Sequence, residues 1–235
     1  MFGLLRRLVP MPDVRLTGGK VMLRPPRDSD FPQWVNLRRA SRDFLVPWEP
    51  TWPRDALMRG CWRRRLRHYA DEWHLGVSYS FMIFSKGDNA MLGGITLSNV
   101  RRGVAQAGTI GYWVGETHAR QGIMTEAVGL VLRYAFDELG LHRVEAACLP
   151  HNAASRGLLR KCGFQEEGYA AQYLKINGAW RDHVLYAHLA TAAQTSASQT
   201  SGVAAVSQAW PASPDNMAPS TPNLARALSH LVSRS

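Results

Sequence analysis

T-I-G-Y-W-V-G-E-T-H-A-R-Q-G-I-M-T, Thr109 to Thr125, passes from an apolar strand through a glycine-containing turn into a long helix. The helix is predicted over Ile123 to Leu139: Ile123, Ala127, Leu130, Val131, Tyr134 and Ala135 form one apolar stripe, and Gly140 stands where a C-terminal cap belongs. A helix N-terminus leaves about four backbone N–H groups unpaired and carries the positive end of the helix dipole. A glycine there lets a phosphate come close to the backbone, and Arg120 adds a full positive charge. A plain strand-to-helix turn would use Gly122 for its backbone freedom alone, so this stretch by itself leaves both readings open.

Outward from it, Arg143 to Leu149 reads as a strand ended by Pro150. H-N-A-A-S-R-G-L-L-R-K-C-G-F (His151 to Phe164) then starts a short helix with Asn152 as cap, Ser155 in the first turn and Gly163 as the stop. Two strands, about Phe164 to Ile176 and Trp180 to Leu189, turn at Asn177-Gly178, a strong short hairpin signal. Upstream, Val21 and Leu23 mark a strand, and Asp28 and Ser29 cap a helix to about Arg39. A loop F-L-V-P-W-E-P-T-W-P (Phe44 to Pro53) precedes a second helix, Asp55 to about Trp73. Ser78 to Phe84 and Met91 to Val100 form a hairpin turning at Gly87, Asp88 and Asn89. This order predicts an α+β fold, a mixed and mostly antiparallel central sheet with helices on both faces.

The 235 residues carry a net charge of +10, which favours an anionic partner: nucleic acid, anionic lipid or a polyphosphate ligand. Composition changes near Ala190, and residues 191–235, rich in Ala, Ser, Thr, Gln and Pro, contribute only +1 of that charge. Their apolar content is mostly alanine, too small to offset ordering entropy, so the expectation is a folded domain over 10–190 and a disordered tail over 191–235. Within the tail, Leu224, Leu228 and Leu231 allow a short helix at Asn223 to Val232. No apolar run approaches the roughly 18 residues of a membrane span. The apolar start is broken by Arg6 and Arg7, and Cys61, Cys148 and Cys162 have no metal-ligand spacing. These features predict a reduced cytoplasmic setting, no membrane partner and no metal.

Taken together, the strand–turn–helix of 109–139 and N-x-x-S with K-x-G-F downstream resemble the acetyl-CoA-binding half of the GCN5-related N-acetyltransferase superfamily. V-R-L-T, F-L-V-P-W-E-P, L-S-N-V-R-R-G, L-H-R-V, P-H-N, E-E-G-Y-A and Y-L-K-I-N-G-A-W-R-D-H-V look like its RimJ type, the ribosomal-protein alanine N-acetyltransferases, over about residues 1–188. The resemblance implies an acyl-CoA N-acyltransferase fold and acetyl-CoA as co-substrate. Its acceptor would be the N-terminal α-amine of an alanine-starting small-subunit ribosomal protein, attacking directly in a ternary complex. It assigns the backbone of Tyr112, Trp113 and Val114 to the pantetheine arm and thioester carbonyl. The turn Arg120, Gln121, Gly122, Ile123, Met124 and Thr125 would hold the pyrophosphate, with Arg120 where relatives of this type usually have Gly. Asn152 would bond the pantetheine and Ser155 would protonate the departing thiolate. Gln172 stands where some relatives have a carboxylate, and an amide cannot take the proton.

For a base, Glu49 in the P-W-E-P loop and Glu116 past the central strand are the candidates, Glu49 equally as a binder of the cationic amine. A free α-amine has a pKa near 8, so roughly a tenth is neutral at pH 7 and a strong base is not required. Cys148 and Cys162 read as core thiols, and His142, His151, His183 and His188 as structural. The basic run C-W-R-R-R-L-R-H-Y (Cys61 to Tyr69) is either a solvated helix or a contact to ribosomal RNA. Two alternatives stay open: acetylation of a small-molecule amine, and a non-catalytic relative that binds RNA or the ribosome.

Overall fold

The computed structural model describes residues 11–191. Among them eight strands form one sheet in the order β1-β2-β3-β4-β5-β6-β8-β7. They are β1 (Leu16–Thr17), β2 (Val21–Arg24), β3 (Tyr79–Ser85), β4 (Met91–Arg101), β5 (Ala107–Val114), β6 (Arg143–Cys148), β7 (Gln165–Ile176) and β8 (Ala179–Leu189). All neighbours run antiparallel except β5 and β6. Five α-helices accompany them: α1 (Phe31–Ala40), α2 (Arg42–Leu45), α3 (Arg59–His74), α4 (Ile123–Arg133) and α5 (Ala153–Lys161).

Strand β3 shows why both faces are covered. Alternate residues of a strand point to opposite faces. Phe81 and Ile83 join the core that holds Val128 and Val131 of α4, whereas Met82 and Phe84 join a second core with Trp34 of α1 and Trp62 of α3. Each such side chain contributes about 1.5–3 kcal/mol on burial. The mixed sheet with helices on both faces is therefore the observed architecture.

The sheet divides at its one parallel pair. β5 and β6 are in register only over Ala107–Thr109 and Arg143–Glu145. Beyond that, β5 stays with β4 as far as Val114, while β6 stays with β8, where Cys148 faces Val184. The edge of β5 from Gly111 to Val114 that faces β6 thus has no strand partner. Close approach of β4 to β5 depends on Gly93, because a Cβ there would overlap the carbonyl oxygen of Trp113. Gly93→Ala is expected to cost about 1–3 kcal/mol by overpacking, read as a lower thermal midpoint.

Four local expectations change. The second helix starts at Arg59, not Asp55, because Ala56 and Met58 donate back to Pro53 and Asp55 in tight turns. The long helix is α-helical only to Arg133 and ends in a π-turn, Tyr134–Glu138, before Gly140 at φ +62°. Ahead of α1, Asp28 and Ser29 sit inside a 3-10 turn (Asp28–Asp30) and do not cap the helix; Asp30 precedes it without a side-chain cap bond, its carboxylate instead accepting the Arg27 N–H at 2.7 Å and forming a two-point pair with Arg24. The two-residue β1 had no sequence signal. The expected tail and its Asn223 to Val232 helix lie outside the described residues.

The basic run on α3 is partly neutralised. Arg59 and Arg63 pair with Asp28 and Arg64 with Asp55, while Arg65 is buried beside the Trp34 ring. No described helix is long and apolar enough to cross a membrane.

Candidate active site

The gap between β5 and β6 opens into a cavity of about 770 Å³. One end is the turn into α4. Gly122 sits at φ +79° as the residue before the helix, and Arg120 at φ +60°. Only glycine takes that left-handed region without cost. Arg120 therefore keeps the backbone shape a glycine would adopt there and accepts the strain, adding charge to the turn. Glu126 makes the first intrahelical bond, to the Gly122 carbonyl, and no described residue accepts from the N–H groups of Ile123, Met124 or Thr125. A Cβ built on Gly122 meets nothing within 4 Å, so space lies directly over these donors. Three free N–H groups at the positive end of a helix dipole, with Arg120 and Lys161 lining the same cavity, are matched to a diphosphate.

The middle of the cavity is lined by Tyr112, Trp113 and Val114 from β5 and by Asn152 and Ser155 from α5. Asn152 caps α5: its Oδ1 accepts the Ser155 N–H at 3.0 Å, which leaves its Nδ2 hydrogens to donate elsewhere. The Tyr112 hydroxyl lies 2.8 Å from Ser155 Oγ. Burial pushes the Tyr112 phenol well above its ordinary range, so it stays protonated, and either hydroxyl can donate to the other. In either direction the pair fixes Ser155 Oγ on the cavity wall at the start of α5. Cys148, at the end of β6, lines the same space, and burial pushes its thiol up, which keeps it protonated.

The far wall comes from the P-W-E-P loop. Glu49 is buried and accepts two hydrogen bonds from Arg38, at 2.7 and 2.6 Å, and one from the Trp52 indole at 2.7 Å. The Arg38 guanidinium lies over the Trp52 and Trp113 rings, 4.3 and 4.9 Å from their centroids. The Glu49 carbonyl also accepts the Asn177 N–H at 2.9 Å, tying the β7–β8 turn to the loop. That turn uses Asn177 at φ +43° and Gly178 at φ +81°, both left-handed, as the Asn-Gly signal required.

Of the residues expected from sequence, Glu49, Tyr112, Trp113, Val114, Arg120, Gly122, Ile123, Met124, Thr125, Asn152 and Ser155 line this one cavity. Two do not. Gln121 turns back, its Nε2 donating to the Thr117 carbonyl at 2.9 Å, so it braces the turn from outside. Glu116 is exposed in a short 3-10 turn (Glu116–His118), and its N–H donates to Ser41 Oγ at 2.9 Å. Sequence reasoning set aside two further cavity residues as structural or core, His183 and Cys148, and passed over His118 and Lys161. The signal for His183 was strand alternation: Val184 and Tyr186 face α5, which puts His183 on the opposite face of β8.

Residues 20–165 match the family model described as "Acetyltransferase (GNAT) domain". A probable N-acetyltransferase of Bacillus subtilis, YjcK, is 37% identical over 74% of this chain and 96% of its own length. The ribosomal-protein-uS5-alanine N-acetyltransferase of Escherichia coli is 36% identical over 75% of this chain and 91% of its own. The solved structure of Mycobacterium smegmatis RimJ in complex with CoA-disulfide superposes with a TM-score of 0.69 at 36% identity, covering 72% of this chain and 82% of that one. A divided sheet, a diphosphate-matched helix start and this degree of likeness agree: the chain belongs to the GNAT acetyltransferase family, with RimJ-type relatives, and is an acetyl-CoA-dependent N-acetyltransferase.

Proposed function

We propose that the protein transfers acetyl from acetyl-CoA to the N-terminal α-amine of an alanine-starting ribosomal protein, by direct attack in a ternary complex. The supporting observation is the continuity of one cavity from the free N–H groups of α4, past Ser155, to the Trp48–Glu49 wall of the P-W-E-P loop. The first part suits a nucleotide thioester and the last part an amine carried on a chain. Likeness to a ribosomal-protein-alanine acetyltransferase over three quarters of the chain favours that acceptor above a small amine.

In this reading Ile123, Met124, Thr125 and Arg120 bind the diphosphate, and Asn152 Nδ2 donates to a pantetheine carbonyl. Backbone N–H groups on the open edge of β5, between Tyr112 and Val114, receive the developing oxyanion. Preorganised donors of that kind and the holding together of amine and thioester supply most of the acceleration. Ser155, held by Tyr112, gives its proton to the departing sulfur. Glu49 accepts three hydrogen bonds from Arg38 and Trp52, so in this reading it shapes and charges the acceptor wall.

Acetyl-CoA turnover on peptides beginning Ala, Ser and Met tests the acceptor. Fastest acetylation of the Ala peptide is expected, and a preference for a free small amine over all three would overturn the reading. Ser155→Ala is expected to lower kcat by about 10²-fold. Its acetyl-CoA Kd, followed calorimetrically, should move by no more than about threefold. An unchanged kcat would remove the acid role.

A further inference from the structure

We infer that His183 is the group that takes the proton from the incoming amine; this rests on the acyl-transfer reading above. His183 belongs to β8 and lies one residue beyond the pairing of Val184 with Cys148, at the wide end of the gap between β5 and β6. Its side chain is 2% exposed yet lines the cavity. Nδ1 lies 2.9 Å from the Arg181 carbonyl oxygen. A carbonyl only accepts, so Nδ1 carries the ring hydrogen and donates it. In the neutral ring, Nε2 then holds a lone pair, and no described residue bonds to it. The ring is held edge-to-face by Tyr173 at 5.8 Å, and Tyr173 belongs to the bulge of β7 that lies opposite Asp182. Asp182 fixes that bulge by accepting the Gln172 N–H at 2.8 Å and the Tyr169 hydroxyl. The result is a buried imidazole with one tautomer and one open basic nitrogen.

Burial lowers the His183 pKa below its ordinary value, against smaller opposing effects of the Arg181 carbonyl and Asp182. The ring is therefore neutral at pH 7, ready to accept. Of the other titratable groups, Asp182 adjoins it on β8, Tyr173 from β7 packs on the ring, and Cys148 from β6 and Glu49, paired with Arg38, line the same cavity. The protons balance as follows. The amine enters as an ammonium and loses one proton to Nε2, from which it passes to solvent. The freed lone pair attacks the thioester carbonyl carbon, a C–N bond forms and the C–S bond breaks. A second nitrogen proton replaces the one that Ser155 gives to the sulfur.

The test pairs kinetics with a readout that needs no turnover. His183→Gln and His183→Asn should lose about 10²-fold in kcat/KM at pH 7. The deficit should shrink towards about pH 9, where the α-amine deprotonates unaided, with acetyl-CoA Kd unchanged within about threefold. A deficit constant across pH, or a rate within about twofold of wild type on whichever amine wild type acetylates, overturns the base. In the wild-type protein, nitrogen NMR of His183 should show a protonated Nδ1 and a bare Nε2 at pH 7. The opposite tautomer also overturns the proposal, whatever the acceptor. Wild-type preference for a small amine with an intact His183 effect would instead sink only the ribosomal-protein reading.

Discussion

Gly122→Val is expected to raise the Kd for acetyl-CoA by more than about a hundredfold, by calorimetry, with the fold intact. Two effects act together. At φ +79° a β-branched residue is strained by about 1–3 kcal/mol. Relief of that strain would turn the Ile123, Met124 and Thr125 N–H groups away from a common point. The added side chain would also project into the space over those donors, where a Cβ now meets nothing. Arg120→Glu separates charge from shape, since it keeps the turn residue count but puts a carboxylate beside a diphosphate, and it should weaken binding comparably. Arg120→Gly should relax the left-handed strain while removing the charge, so it is expected to stabilise the fold and weaken binding modestly. Undiminished binding in Gly122→Val and Arg120→Glu together would place the thioester donor elsewhere in the molecule.

The other large effect concerns the acceptor wall. Arg38→Ala leaves the Glu49 carboxylate buried with only the Trp52 indole as partner, the side chains of the pair being 4% and 6% exposed. Breaking a buried pair from one side costs about 3–5 kcal/mol. For a domain of this size that corresponds to a fall of roughly 10 °C in Tm. The same change takes the guanidinium off the Trp113 face and loosens the loop that holds the β7–β8 turn through the Glu49 carbonyl. A raised KM for the peptide should follow, with acetyl-CoA affinity little changed. The double replacement Arg38→Met with Glu49→Met should recover much of the lost stability, because it removes both buried charges at once. A melt of Arg38→Ala indistinguishable from wild type would show that the pair is not holding this wall.

Some of this was written in short stretches of chain. The Gly122 turn, the Asn152 cap, the Gly163 stop and the Asn177-Gly178 hairpin each depend on groups within a few residues of one another. Backbone sterics and local hydrogen bonds decide them, and the structure has them where the sequence placed them. The misplacements came where a side chain had a choice of partner. Asp28, Ser29 and Asp30 all suit a helix start, but Arg24, arriving from β2, drew the Asp30 carboxylate back onto itself and the Arg27 N–H, away from the first turn of α1.

The sequence by itself determined the alternation of strands and helices, the glycine turn into α4 and the residues that cap and stop α5. Tertiary structure alone decided which carboxylates reach the cavity and which imidazole does. Glu49 was committed by Arg38 eleven positions away, Glu116 was left in solvent, and His183 was turned inward by strand register and fixed by a bulge on the neighbouring strand. The physical reason is range. Turns and caps are settled by neighbours in the chain, whereas the charge state and direction of a buried group are settled by whatever distant segment the packing brings against it.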